Sequence, residues 1–145
     1  MSVSGTSQIF DTVSTVDGLG LFSHGKVDYG AVAGLLELDK NALSKVGGVS
    51  KKSVRLDDRI PKELASRLDE IANICNLVAE YFDGNVTRTA LWFKIPNPML
   101  GNISPRDMIR YGRYRRLRKF VVDSLPTSRE SNKQPSLHAE VEITG

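Results

Sequence analysis

Lys62–Gly84 reads KELASRLDEIANICNLVAEYFDG. Leu64, Leu68, Ile71, Cys75, Val78 and Phe82 recur at spacings of 4, 3, 4, 3 and 4 residues, the period of one helical face. Ile74, Leu77 and Tyr81 widen that stripe, so the helix is expected to be buried over a broad arc at the centre of the fold. Pro61 suits the first position of such a helix, where its missing N–H would have no partner anyway. Asp83-Gly84 supplies the stop.

Upstream, the pattern breaks into shorter pieces. Asp28 can cap a helix through "YGAVAGLLEL", Asp39 a second through "KNALSKVG", and Ser50 a third, "KKSVR", because a short oxygen-bearing side chain accepts from the free amides of a first turn. Residues 1–24 are rich in Ser, Thr and Gly and are expected to form a flexible arm, with at most one short helix. Downstream, Asn85 caps "NVTRTALWFKI". Pro96 to Gly101 is loop, and Ser104-Pro105-Arg106-Asp107 has the form of a helix start. A last helix, or a pair broken at Gly112, runs to about Leu125. Residues 126–145 are polar, with two prolines, and are expected to be disordered alone. The class is all-α.

Several kinds of chemistry are not encoded. His24 and His138 fall in the arm and the tail, and Cys75 lies on the apolar stripe, where a thiol is inert packing. No glycine-rich loop follows a strand and no metal-ligand spacing occurs. One cysteine leaves no internal disulfide and suits a reducing cytoplasm, and neither a membrane span nor a signal peptide is evident. The chain of 145 residues carries a net charge of +3, which permits nucleic acid or an acidic protein as partner. We therefore expect a non-catalytic, cytoplasmic binding protein without a cofactor.

The spacing in "KNALSKVGGVSKKSVR" resembles the helix-turn-helix of phage-repressor-like (Xre-type) regulators. Leu43 would face the core, Ser44 the helix crossing, Gly48 the turn, with Val49 and Val54 as anchors. The third helix would offer Ser50, Lys51, Lys52, Ser53 and Arg55 to DNA phosphates and groove edges. Gly47 and Asp57 depart from the pattern at positions that are normally apolar. The alternative is a module of this shape used only for packing or dimerisation.

"LWFKIPNPMLGNISPRDMI" carries Trp92, then Pro96, Asn97, Pro98, Leu100 and Gly101, then Ser104, Pro105, Met108 and Ile109. Together these resemble the signature of the MbcA/ParS/Xre antitoxin family, and the resemblance spans about Asp28 to Leu125. Asn102 stands where a second glycine is common, and the basic final helix leaves its alignment open. The resemblance implies an Xre-like helix-turn-helix (residues 25–59) followed by a helical toxin-binding domain (60–125). It implies an antitoxin that neutralises a RES-domain toxin, which consumes NAD or transfers ADP-ribose, in a higher-order complex and that represses its own operon. Since helix-turn-helix proteins commonly read symmetric operator sites, a homodimer is expected. A plain transcription regulator without a toxin partner is the competing expectation.

Three roles remain open for "RYGRYRRLRKF". Tyr111 and Tyr114 interleave with Arg110, Arg113, Arg115 and Arg116, residue types enriched in interface hot spots. Alternatively Arg106, Arg110, Arg113 and Lys119 form a solvated face, and mixtures of Arg and Tyr also suit a nucleic acid. Pro96, Asn97 and Pro98 make either a stabilising corner or a rigid support that aims this helix, with Asn97 at the toxin contact. In the tail, "LHAEVEI" offers Leu137, Glu140 and Glu142 as a segment that orders in the toxin's cleft.

Overall fold

The computed structural model describes residues 17–124. Among them a two-residue hairpin, β1 (Phe22–Ser23) and β2 (Lys26–Val27), precedes six helices. These are α1 (Tyr29–Leu36), α2 (Lys40–Gly47), α3 (Lys62–Tyr81), α4 (Val86–Lys94), α5 (Pro105–Arg110) and α6 (Tyr114–Ser124). The fold is thus mostly helical. No described helix is long and apolar enough to cross a membrane.

α3 is the pillar that the spacing of Lys62–Gly84 predicts. Leu64, Leu68, Ile71, Ile74, Cys75 and Val78 are fully buried, and α1, α2, α4 and α6 all pack against it. One continuous buried cluster runs from Leu21 to Val121, so the residues of 25–59 and those of 60–125 share a core. The chain stops α3 with two successive left-handed residues, Asp83 and Gly84. Four predicted caps are in place: the side chains of Asp28, Asp39, Asn85 and Ser104 accept from the amides of Ala31, Ala42, Arg88 and Asp107. Each supplies a partner to an amide that the helix cannot satisfy.

Pro61 stands at the N-cap of α3, one residue before the expected first position, and two whole segments depart from the sequence reading. The last part of the expected flexible arm, residues 17–24, is folded onto the rest of the chain. The Asp17 carboxylate accepts from the amides of Leu21 (2.7 Å) and Phe22 (3.0 Å) and from Asn76 Nδ2 (3.2 Å), which turns the chain so that Leu21 enters the core. Those hydrogen bonds hold the Asp17 carboxyl below its ordinary pKa, against the opposing effect of desolvation. Secondly, the predicted third helix is a single 3-10 turn, Lys51–Ser53. Val54 is its one buried neighbour, too little apolar surface to sustain a helical face. The Ser50 and Ser53 hydroxyls bond each other at 3.0 Å instead of capping.

Gly47 explains its own departure from the regulator pattern. A Cβ there would lie 2.9 Å from Leu64 Cβ and 3.1 Å from Leu64 Cα, so the close crossing of α2 and α3 favours glycine.

Candidate functional site

Two surfaces carry the predicted binding residues. The first is the turn between α2 and α3. The Ser44 hydroxyl donates to the Val49 carbonyl, Gly48 turns with φ +64°, and Val54 is buried, which together fix the turn. Ser50, Lys51, Lys52, Ser53 and Arg55 are all exposed. Their charges differ in availability. Arg55 donates from Nε and Nη2 to the two oxygens of Asp57 at 2.7 and 2.6 Å, a bidentate pair. The Arg55 guanidinium, with the Arg59 amide, holds the Asp57 carboxyl down at about 2. Lys51 and Lys52 have no ion pair among the described residues.

The second surface is the corner between α4 and α6. Pro96 and Pro98 force extended angles on the residues before them: Ile95 has φ −96°, ψ 133° and Asn97 has φ −116°, ψ 118°. Asn97 then closes the loop with both its side chain and its backbone. Its side-chain oxygen accepts from the Met99 amide at 2.8 Å. Its carbonyl accepts from the amides of Leu100 and Asn102 at 2.9 Å, and its amide donates to the Ile103 carbonyl at 3.1 Å. Gly101 and Asn102 both take positive φ, which Asn tolerates better than other side chains. Trp92 and Pro105 are buried on either side, while Leu100 is half-buried against the core.

Asn97 is only 1 % exposed, so it belongs with Trp92, Pro96, Pro98, Leu100, Gly101, Ser104 and Pro105 as part of the corner. It cannot touch a partner unless the loop opens. Tyr114 is likewise buried, at 4 % exposure, with the Arg115 guanidinium 5.5 Å from its ring centroid. The sequence reading puts both residues at an interface; their apolar or hydrogen-bonded surroundings place them under it. What remains accessible is Tyr111, 55 % exposed, and Met99, 64 % exposed, together with exposed Arg113, Arg115 and Arg116. Arg110 is half-buried and pairs with Asp107 at 3.3 Å. Leu137, Glu140 and Glu142 lie outside the described residues.

Sequence reasoning does not find Glu37. It sits just past α1 with left-handed φ 53°, and its two oxygens meet Lys94 Nζ at 2.9 Å and Arg106 Nη1 at 2.8 Å. It thereby joins the ends of α1 and α4 to the start of α5. Lys94 and then Arg106 hold its carboxyl below the ordinary range. Nothing local marks the residue, because its partners are 57 and 69 positions away.

Cys75 is fully buried, and desolvation pushes its thiol far above the ordinary range, as expected of a packing residue. No protein-family model, no curated protein and no solved structure matches the chain.

Proposed function

We propose that this chain is an antitoxin of a toxin–antitoxin pair, built as an Xre-like helix-turn-helix on a toxin-binding helical half. In this reading it occludes a RES-type toxin with the surface beyond the corner and represses its operon through the α2–α3 turn. The observation that supports it most is the corner itself. A loop closed by the hydrogen bonds of buried Asn97 holds Met99, Arg110, Tyr111 and Arg113 at a fixed angle. A preorganised surface loses little entropy on docking, and Arg and Tyr with an exposed Met are residue types enriched at interfaces.

Lys51 and Lys52 are the phosphate contacts of this reading, with Ser50 and Ser53 beside them. Arg55 contributes less, because Asp57 already occupies its fork. The tail residues Leu137, Glu140 and Glu142 are the proposed plug of the toxin's cleft.

The test is co-expression with a RES-domain protein encoded beside this chain. Growth arrest by that protein alone, relief by this chain, and co-purification of the two are the expected results. Loss of relief in the double variant Tyr111→Ala, Arg113→Glu, with folding intact, would locate the contact. A neighbour that is harmless alone, or that arrests growth equally with and without this chain, rejects the reading. Retained operator repression would then leave a regulator without a toxin partner.

A further inference from the structure

A surface helix ordinarily turns charged and polar residues outward; α4 does not. Of the five large apolar side chains exposed among the described residues, two are on this helix, Val86 (49 % exposed) and Leu91 (38 %). At about 3.6 residues per turn, Val86, Ala90, Lys94, Thr87 and Leu91 share one arc, turned away from buried Trp92. Lys94 is the only charge on that arc, and Glu37 neutralises it at 2.9 Å. The bare face is small. A helix of nine residues is about 14 Å long, so one arc offers on the order of a few hundred Å², short of the roughly 800 Å² per partner of a standard interface. A tethered segment needs far less intrinsic affinity, because a short linker holds it at roughly millimolar local concentration. The size of the face therefore selects an occupant from the same chain.

Residues 1–16, which lie outside the described residues, join the fold beside this face. A Cβ placed on Gly18 would lie 3.4 Å from Gly84 Cα and 3.9 Å from Ala79 Cβ, and Gly84 is two residues before Val86. The Asp17 carboxylate fixes that approach through Leu21, Phe22 and Asn76. The composition of the segment suits an apolar arc. Ile9, Val13 and Val16 recur at spacings of 4 and 3, Phe10 flanks Ile9, and Asp11 is the only charged side chain among residues 1–16. As a helix, Ile9 to Val16 would span about 11 Å, close to the length of α4. The other terminal segment fits less well. It leaves from α6, which packs on α3 and α5, and carries Arg129, Glu130, Lys133, Glu140 and Glu142. We propose that residues 9–16 fold back and lay Ile9, Phe10, Val13 and Val16 on the outward face of α4, between Val86 and Leu91. A partner that uses this face must first displace them. The docking does not depend on the antitoxin reading, because a chain without a toxin would carry the same bare arc.

Amide hydrogen exchange of the full chain, followed by mass spectrometry, tests this. Fragments covering residues 9–16 should exchange about tenfold or more slower than the same stretch in a synthetic peptide of residues 1–16. Leu91→Lys should restore the peptide's rate, while undiminished protection of the α3 amides shows that the fold is intact. Val86→Glu, at a helix start where an acid is well placed, should do the same from the other edge of the arc. A peptide-like rate in the unaltered chain overturns the proposal. So does slow exchange that survives both substitutions, or that fades on dilution, which makes a second copy the occupant.

Discussion

Two bends in this chain do the same geometric work with opposite materials. The corner at Ile95–Pro105 buries Asn97 and Ser104, and Asn97 alone anchors four backbone groups. The turn at Ser50–Arg59 leaves its hydroxyls and cations in water, with Val54 as its only buried side chain. The conspicuous sequence signature sits at the first, yet accessible charge is plentiful at the second. A signature of prolines, asparagine and glycine therefore records how a surface is held more than what that surface touches.

That contrast can be broken by mutation. Trp92→Ala empties a fully packed site under the corner and should cost about 3–5 kcal/mol of unfolding free energy in urea titrations. Gly47→Ala should cost about 1–3 kcal/mol by overpacking against Leu64, despite alanine's higher helix propensity. If it stabilises the protein instead, the α2–α3 crossing is looser than the 2.9 Å approach implies. Asn97→Ala strands the Met99 amide and should cost about 1–2 kcal/mol, whereas Ser50→Ala should stay within about 0.5 kcal/mol. Equal values for those two would erase the distinction between the bends.

At the outward bend the expected effects appear in binding and not in stability. Under the DNA-binding reading, Lys51→Ala and Lys52→Ala should each lower the slope of log affinity against log salt by about 0.9. Arg55→Ala should leave that slope unchanged, as its guanidinium is already paired. The smallest effect is on pH dependence. Asp57 and Glu37 both have lowered folded-state pKa values, so their contributions are complete above the ordinary carboxylate range. They fade as pH falls through it, for Asp57 toward about 2. Melting temperature should dip over that window, and Asp57→Asn with Glu37→Gln should flatten the dip.

Local features are legible in the sequence and distant ones are hidden. The caps at Asp28, Asp39, Asn85 and Ser104, the α3 stripe and the break at Gly112 each depend on neighbours within four or so residues. The arm and the third helix differ from expectation because tertiary contacts override weak local propensity. Asp17 acts through Asn76, 59 positions away, and Val54 leaves its turn to join the core. At the candidate site, residue types identify a surface but not its depth. Nothing in "NP" or "RYRR" says that Asn97 and Tyr114 lie beneath Tyr111 and Arg113.

The continuous packing from Leu21 to Val121 has a practical corollary. Neither half can be cut free without exposing an apolar face of α3, so the chain should melt in one cooperative step. Anything that grips the corner then shields the Lys51–Lys52 turn from proteolysis as well, because both survive or unravel together.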